Sequence, residues 1–105
     1  MKIEAIKSTL QSIHKHFGPS EGNQLILDEE RHHYLLLLNE WEGARRYYNI
    51  LVHIEYKEDL VWLHEDNTEL ILAERLIQQG IPENEIVLAW QTPQMRAETG
   101  FAVGE

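Results

Sequence analysis

Three of the six histidines fall where antiparallel strands could bring their imidazoles together. A two-residue turn at Glu58-Asp59 would place His53 opposite His64, and another at Glu42-Gly43 would place His32 opposite His53. Three imidazoles around an open fourth position are the ligand set of a catalytic zinc ion. One interpretation is therefore a small metal-binding or hydrolytic protein that uses His32, His53 and His64. The other is a set of solvated or hydrogen-bonded strand histidines, whose joint protonation would lower stability near a pH of about 6.5.

Other reactive groups show no motif. The sequence has no cysteine, which excludes disulfides, thiolate zinc sites and a cysteine nucleophile. Its glycines form neither a dinucleotide-binding fingerprint nor a P-loop, and its serines form no nucleophile elbow. The carboxylates of Asp28-Glu29-Glu30 are typical of a solvated turn. We therefore expect no enzymatic activity and no cofactor.

The charge distribution argues against direct binding to DNA. The net charge is −9, and residues 1–18 carry three lysines and one glutamate, which leaves −11 for residues 19–105. Because lysine and arginine contacts with phosphates supply most non-specific affinity, an acidic body is a poor DNA binder on its own. The sequence also lacks the roughly 18 consecutive apolar residues of a membrane span. We expect a cytoplasmic protein that makes no membrane contact and reaches DNA only through a partner.

The hydrophobic pattern predicts one α+β domain over residues 1–105. Ile3, Ile6, Leu10, Ile13 and Phe17 draw one stripe along an N-terminal helix that ends at Gly18-Pro19. Four strand-like runs follow as an antiparallel β-meander, and a second helix, capped by Asn67 or Thr68, packs on one face of the sheet. A further C-terminal strand completes the fold. The predicted strands are Gln24–Leu27, His33–Glu40, Arg46–Tyr56, Leu60–Glu65 and Ile86–Trp90.

The two faces of the predicted sheet differ. With the turn at Glu58-Asp59, Tyr56 opposes Val61 and Ile54 opposes Leu63, on an apolar face that Val52, Ile50 and Tyr48 continue and that the helices cover. The outer face carries Leu51, His53, Glu55, Leu60, Trp62 and His64. Exposed apolar residues with a polar rim are typical of a partner or self-association surface. We therefore expect Leu51, Leu60 and Trp62 to bind a partner, unless the C-terminal tail covers this face.

Several short stretches together form a family signature: Asp28-Glu29-Glu30-Arg31-His32-His33-Tyr34, Trp41, His53-Ile54-Glu55, Val61-Trp62-Leu63, Thr68-Glu69, the block from Gly80-Ile81-Pro82 to Trp90, and Arg96 with Thr99-Gly100-Phe101-Ala102-Val103. With these stretches the chain resembles the XisI family, the excision controlling factors of the fdxN element in cyanobacteria. The resemblance spans most of the chain. It implies a non-enzymatic accessory role in DNA rearrangement, beside a companion of the XisH type and a site-specific recombinase, with no catalytic residue to carry over. We also expect a homo-oligomer, most simply a dimer.

Overall fold

A computed structural model describes residues 2–17, 22–68 and 70–104. The helices are α1 (Lys2–His16), α2 (Leu72–Gln78) and α3 (Pro93–Arg96), and a 3-10 turn covers Glu83–Glu85. The strands are β1 (Asn23–Asp28), β2 (His33–Glu42), β3 (Arg45–Lys57), β4 (Leu60–Asp66) and β5 (Ile86–Leu88). The predicted order of elements is confirmed, and the predicted helix stop at Gly18-Pro19 lies outside the described residues.

The five strands form one sheet in the order β1-β2-β3-β4-β5. The first four strands pair antiparallel with their neighbours, as the predicted meander requires. The last strand runs parallel to β4, because the chain crosses back through α2 before it rejoins the sheet. The α+β class is therefore confirmed, with a mixed sheet at its C-terminal edge.

One face of the sheet, called the inner face below, packs against α1 and α2. The apolar stripe of α1 is buried there through Ile6, Leu10 and Ile13, as its spacing of three and four residues predicts. The buried inner-face residues of the sheet are Tyr34, Leu36, Val52, Ile54, Val61, Leu63 and Ile86. Both helices thus occupy one side of the sheet and leave the opposite side, the outer face, to other contacts.

Two irregularities in strand pairing decide which side chains reach the outer face. Between β2 and β3, Leu36 pairs with Val52 and Leu37 with Ile50, so that Leu51 is an extra residue on β3. An extra residue reverses the inward and outward alternation beyond it. Val52 is buried as predicted, but the prediction that Ile50 and Tyr48 face the helices is wrong, since both are exposed.

The other irregularity lies between β3 and β4. The predicted pairs Tyr56 with Val61 and Ile54 with Leu63 are confirmed, but His53 then pairs with Glu65. His64 is therefore the extra residue on β4. The prediction that His53 lies directly opposite His64 is wrong, although their rings remain neighbours with centroids 4.9 Å apart.

The start of α2 and the end of β5 also differ from prediction. The Asp66 carboxylate accepts the backbone N–H of Leu72 at 3.2 Å, whereas the Asn67 amide donates to the Ile50 carbonyl at 2.9 Å. Asp66 thus accepts one N–H of the first turn, and the N-cap residue is Ile71 instead of Asn67 or Thr68. The last strand ends at Leu88, and Trp90 lies beyond it with its side chain exposed. None of the described helices has the length and apolar character needed to cross a bilayer.

Candidate functional site

Trp62 does not form an open surface. Its side chain is only 8% exposed, because the end of the chain lies against it on the outer face. A Cβ built on Gly104 would come within 2.7 Å of the Trp62 ring and 2.9 Å of Val87, and the φ of Gly104 is +81°. Only glycine fits that approach. The prediction of an exposed Trp62 is therefore wrong, and the alternative, a tail folded over this part of the face, describes the structure.

Arg96 ties this C-terminal segment together. Its guanidinium donates to the backbone carbonyls of Gln91, Ala89 and Val103 at 3.0, 3.3 and 3.3 Å. The same group lies 5.6 Å from the centre of the Trp62 ring. One side chain therefore links the turn after β5, the end of the tail and the tryptophan that the tail covers. The role of Arg96 here is structural.

Leu51 lies apart from Trp62, whereas Leu60 lies beside it. The extra residue Leu51 packs against the core and lines a pocket with Phe17 and Leu70 on the helix side. Leu60 begins β4 two residues before Trp62, on the same face, and is half-buried. The three residues predicted to bind a partner thus form no common surface. Their role in binding stays a prediction, and the open part of the outer face lies elsewhere.

That open part crosses β1, β2 and β3. Ile26 pairs with Leu35, and Leu37 pairs with Ile50, which places these four side chains on one face. We call them the outer patch. Ile26 is 40% exposed and Ile50 is 37% exposed, while the two leucines between them are half-buried. Sequence reasoning missed the outer patch because the extra residue at Leu51 moves Ile50 to this face.

Beyond the outer patch, β2 and β3 continue as a two-stranded ribbon, residues 39–42 and 45–49. β1 pairs with β2 only as far as Leu38, with one further backbone hydrogen bond from the Asn39 N–H to the Gly22 carbonyl at 2.8 Å, and β4 pairs with β3 only as far as Val52. On its outer face the Arg46 guanidinium lies 5.7 Å from the Trp41 ring and 4.9 Å from the Tyr48 ring. It also donates to the Asn39 side-chain oxygen at 3.0 Å. These contacts order the outer face of the ribbon, yet Trp41 stays 63% exposed and Tyr48 62%.

A histidine cluster lies on the outer face between the outer patch and Trp62. His33 Nδ1 is 3.0 Å from His53 Nε2, and His64 Nε2 donates to a Glu55 oxygen at 2.8 Å. His33 Nε2 lies 3.7 Å from the other Glu55 oxygen. Two of the predicted histidines, His53 and His64, are therefore together, with His33 as the third.

The predicted place of His32 in this row is wrong. The turn between β2 and β3 occupies Gly43-Ala44, one residue later than predicted, and the extra Leu51 shifts the register further. His32 lies in the turn before β2 with a φ of 59°, and its Nδ1 is 3.1 Å from the Tyr34 hydroxyl. Within the described residues, no group of three or more histidine, aspartate or glutamate side chains is arranged to hold a metal ion. The geometry therefore gives the metal interpretation no support.

Electrostatics make the histidine cluster sensitive to acid. Burial, together with the charges of His64 and His33, lowers the pKa of His53. Burial alone would raise the pKa of Glu55, but the hydrogen bond from His64 and the neighbouring positive charges hold that pKa below its ordinary value. The unfolded chain thus takes up a proton at His53 before the folded one does, so stability falls as the pH drops below about 6.5. The Glu55 contribution is present above its unfolded pKa and is lost as the pH falls through its folded pKa.

Comparisons with known proteins identify the family and the fold. The XisI protein family matches residues 2–103. A solved XisI-like protein from Anabaena variabilis is 33% identical, with a TM-score of 0.90, over 97% of this chain and 95% of that one. The fdxN element excision controlling factor XisI from Anabaena variabilis is 30% identical, with a TM-score of 0.75, over 99% of this chain and 100% of that one. A search of curated proteins gives no match. This chain belongs to the XisI family.

Proposed function

We propose that this chain is a non-enzymatic accessory factor that helps to control the site-specific excision of a DNA element. In this proposal it acts by binding a companion protein of the XisH type, and it reaches the DNA and the recombinase indirectly. The family supports the excision role, since a solved member is an fdxN element excision controlling factor. That the partner is a protein and not DNA is inferred from the exposed residues and the charge of this chain.

The observation that carries the proposal is the outer patch. Ile26 and Ile50 remain well exposed at its two sides, on a face opposite to both core helices. An apolar patch of this kind is typical of a protein-binding site. The histidine cluster is a set of convergent polar groups, but within the described residues no three or more such groups are arranged to hold a metal ion.

The net charge supports an indirect link to DNA. The chain carries 18 acidic and 9 basic side chains, for a net charge of −9. Two of the basic residues, Lys2 and Lys7, are paired with Glu85 and Glu29. A basic companion would be attracted to this body, whereas the phosphates of DNA would be repelled.

Calorimetric titration of the purified chain with its XisH-type companion tests the proposal. We expect measurable binding by the wild-type chain and at least a tenfold weaker affinity for the double variant Ile26→Asp with Ile50→Asp, since each charge would be buried at the interface. Ile71→Asp is the matched control, because Ile71 is an exposed isoleucine that precedes α2 and is not part of the outer patch. Equal affinity of the double variant and the control, with circular dichroism unchanged, would contradict the role of the outer patch.

A further inference from the structure

We propose that two copies of this chain associate edge to edge, with β1 of one copy pairing antiparallel with β1 of the other about a twofold axis at Ile26. The sheets of the two copies then form one continuous sheet. This contact uses the edge of the sheet, whereas the companion is proposed to bind the outer patch on its face. The inference therefore extends beyond the accessory role and does not depend on the companion.

The two edges of the sheet differ in what covers them. At β5 the Ala102 N–H donates to the Ile86 carbonyl at 2.8 Å, and Ala102 pairs with Val87, so the tail covers that edge. At β1 no described residue adds a strand beyond it. Asn23–Asp28 also contains no proline or lysine and pairs with β2 without a bulge, so it lacks the usual protections of an edge strand. The edge at β1 is therefore available for pairing.

The backbone of β1 directs two residues toward this open edge. The Gly22 carbonyl accepts a backbone N–H of β2 at 2.8 Å, whereas the Asn23 carbonyl accepts a hydrogen bond from the His14 ring at 2.6 Å. Since the backbone groups of successive strand residues point to opposite sides, the N–H and C=O groups of Leu25 and Leu27 point away from β2. No described strand lies on that side to pair with them.

The spacing of these groups suits a second copy of the same strand. With Ile26 on the twofold axis, Leu25 of each copy lies opposite Leu27 of the other, and each of these pairs exchanges two backbone hydrogen bonds. The same register places Gln24 opposite Asp28 on the outer face, where the amide of one copy donates to the carboxylate of the other. The two Ile26 side chains meet at the axis, so the outer patches of the two copies join.

The position of α1 favours the same arrangement. The helix contacts β1 and β2, and its Lys7 ammonium lies 2.7 Å from Glu29 at the end of β1, so it lies over the edge of the sheet. The twofold axis brings the two α1 helices side by side and antiparallel at roughly 10 Å, the usual distance between packed helices. Glu4 lies in the first turn of α1 and Lys15 in the last, so opposite charges are neighbours at both ends of the pair.

Sedimentation equilibrium of the companion-free protein tests the proposal. We expect twice the chain mass of 12.4 kDa for the wild type and a single chain mass for Ile26→Lys, which places two ammonium groups side by side at the axis. Ile50→Lys is the matched control, because Ile50 is similarly exposed on the same face but lies on β3, away from the edge, and this variant should remain a dimer. A monomeric wild type, or an Ile26→Lys variant as dimeric as the control, would overturn the proposal.

Amide hydrogen exchange of the wild-type chain tests the register without any substitution. The Leu25 and Leu27 amides should exchange at least about tenfold more slowly once the protein concentration is high enough for association, because only the dimer gives them a hydrogen-bond acceptor. The Gln24 and Ile26 amides point to β2 in both states and should change less. A dimer in which the Leu25 and Leu27 amides gain no protection would associate through another surface and would contradict the proposal.

The same variants separate this inference from the proposed accessory function. Both Ile26→Lys and Ile50→Lys should weaken companion binding at the outer patch, whereas only Ile26→Lys should abolish the dimer. Ile50→Lys therefore reports on the outer patch alone. Protection of the Leu25 and Leu27 amides that requires the companion, in a chain that is monomeric by itself, would assign the edge to a strand of the companion and overturn the inference.

Discussion

Replacing Trp62 by alanine should destabilise the fold, because the tail and the sheet enclose this side chain on the outer face. Trp62 is 8% exposed, and its indole N–H donates to the Lys57 carbonyl at 3.2 Å. The Lys57 ammonium also lies 4.4 Å from the ring centre. The variant loses the buried ring and leaves Gly104 and Val87 facing a cavity.

The expected cost follows from the area that the ring buries. A buried tryptophan removes roughly 200 Å² from water, and at about 25 cal/mol per Å² this corresponds to about 5 kcal/mol. Because the unfolded chain already buries some of that area, the expected loss in the free energy of unfolding is about 3–5 kcal/mol. Domains of this kind have total stabilities of only about 5–15 kcal/mol. Trp62→Phe, which retains a ring, should therefore accompany the alanine variant as a milder change.

Urea denaturation followed by far-ultraviolet circular dichroism measures this loss. Trp90→Ala is the matched control, since Trp90 is an exposed tryptophan whose removal should cost within about 1 kcal/mol. The order of stability should be wild type, then Trp90→Ala, then Trp62→Phe, then Trp62→Ala. If Trp62→Ala and Trp90→Ala were equally stable, the tail would not cover Trp62 in solution, and the reasoning on the outer face would be refuted.

Three smaller predictions concern the tail, the histidine cluster and the second helix. Gly104→Ala should lower stability by about 1–3 kcal/mol and speed proteolysis of the tail, because its Cβ would meet the Trp62 ring at 2.7 Å; unchanged proteolysis would contradict this. The urea midpoint of the wild type should fall as the pH drops from about 6.5, and His53→Gln should make the midpoint depend less on pH. An equal pH dependence of the two midpoints would contradict the role of the histidine cluster in acid sensitivity. Asp66→Ala should cost about 1–2 kcal/mol through loss of its contacts at the start of α2, whereas Asn67→Ala should cost less in a thermal melt; the reverse order would restore Asn67 as the cap.

The sequence was informative where its pattern repeats. The stripe of α1 was visible because Ile6, Leu10 and Ile13 recur with the helical period, and they are buried as predicted. The order and antiparallel pairing of the first four strands followed from alternating runs and short turns. Tyr56 and Ile54 face Val61 and Leu63 because the tight turn at Glu58-Asp59 fixes that register.

The candidate site was less predictable because it depends on single extra residues. Nothing in composition marks Leu51 or His64 as an extra residue, yet each changes which side chains lie beside one another. His33 consequently joins the histidine cluster in place of His32. The cover over Trp62 was predicted only as one of two alternatives, because an irregular segment held by Arg96 has no periodicity that indicates its position.

An excision reporter measures the proposed function most directly. A DNA element flanked by its recombination sites would interrupt a selectable gene, with the recombinase and the XisH-type companion supplied and this chain present or absent. The account predicts excision with the wild type and with Ile71→Asp, and a loss of excision with Ile26→Asp combined with Ile50→Asp. Normal excision by that double variant, folded and present at the level of the control, would contradict the account.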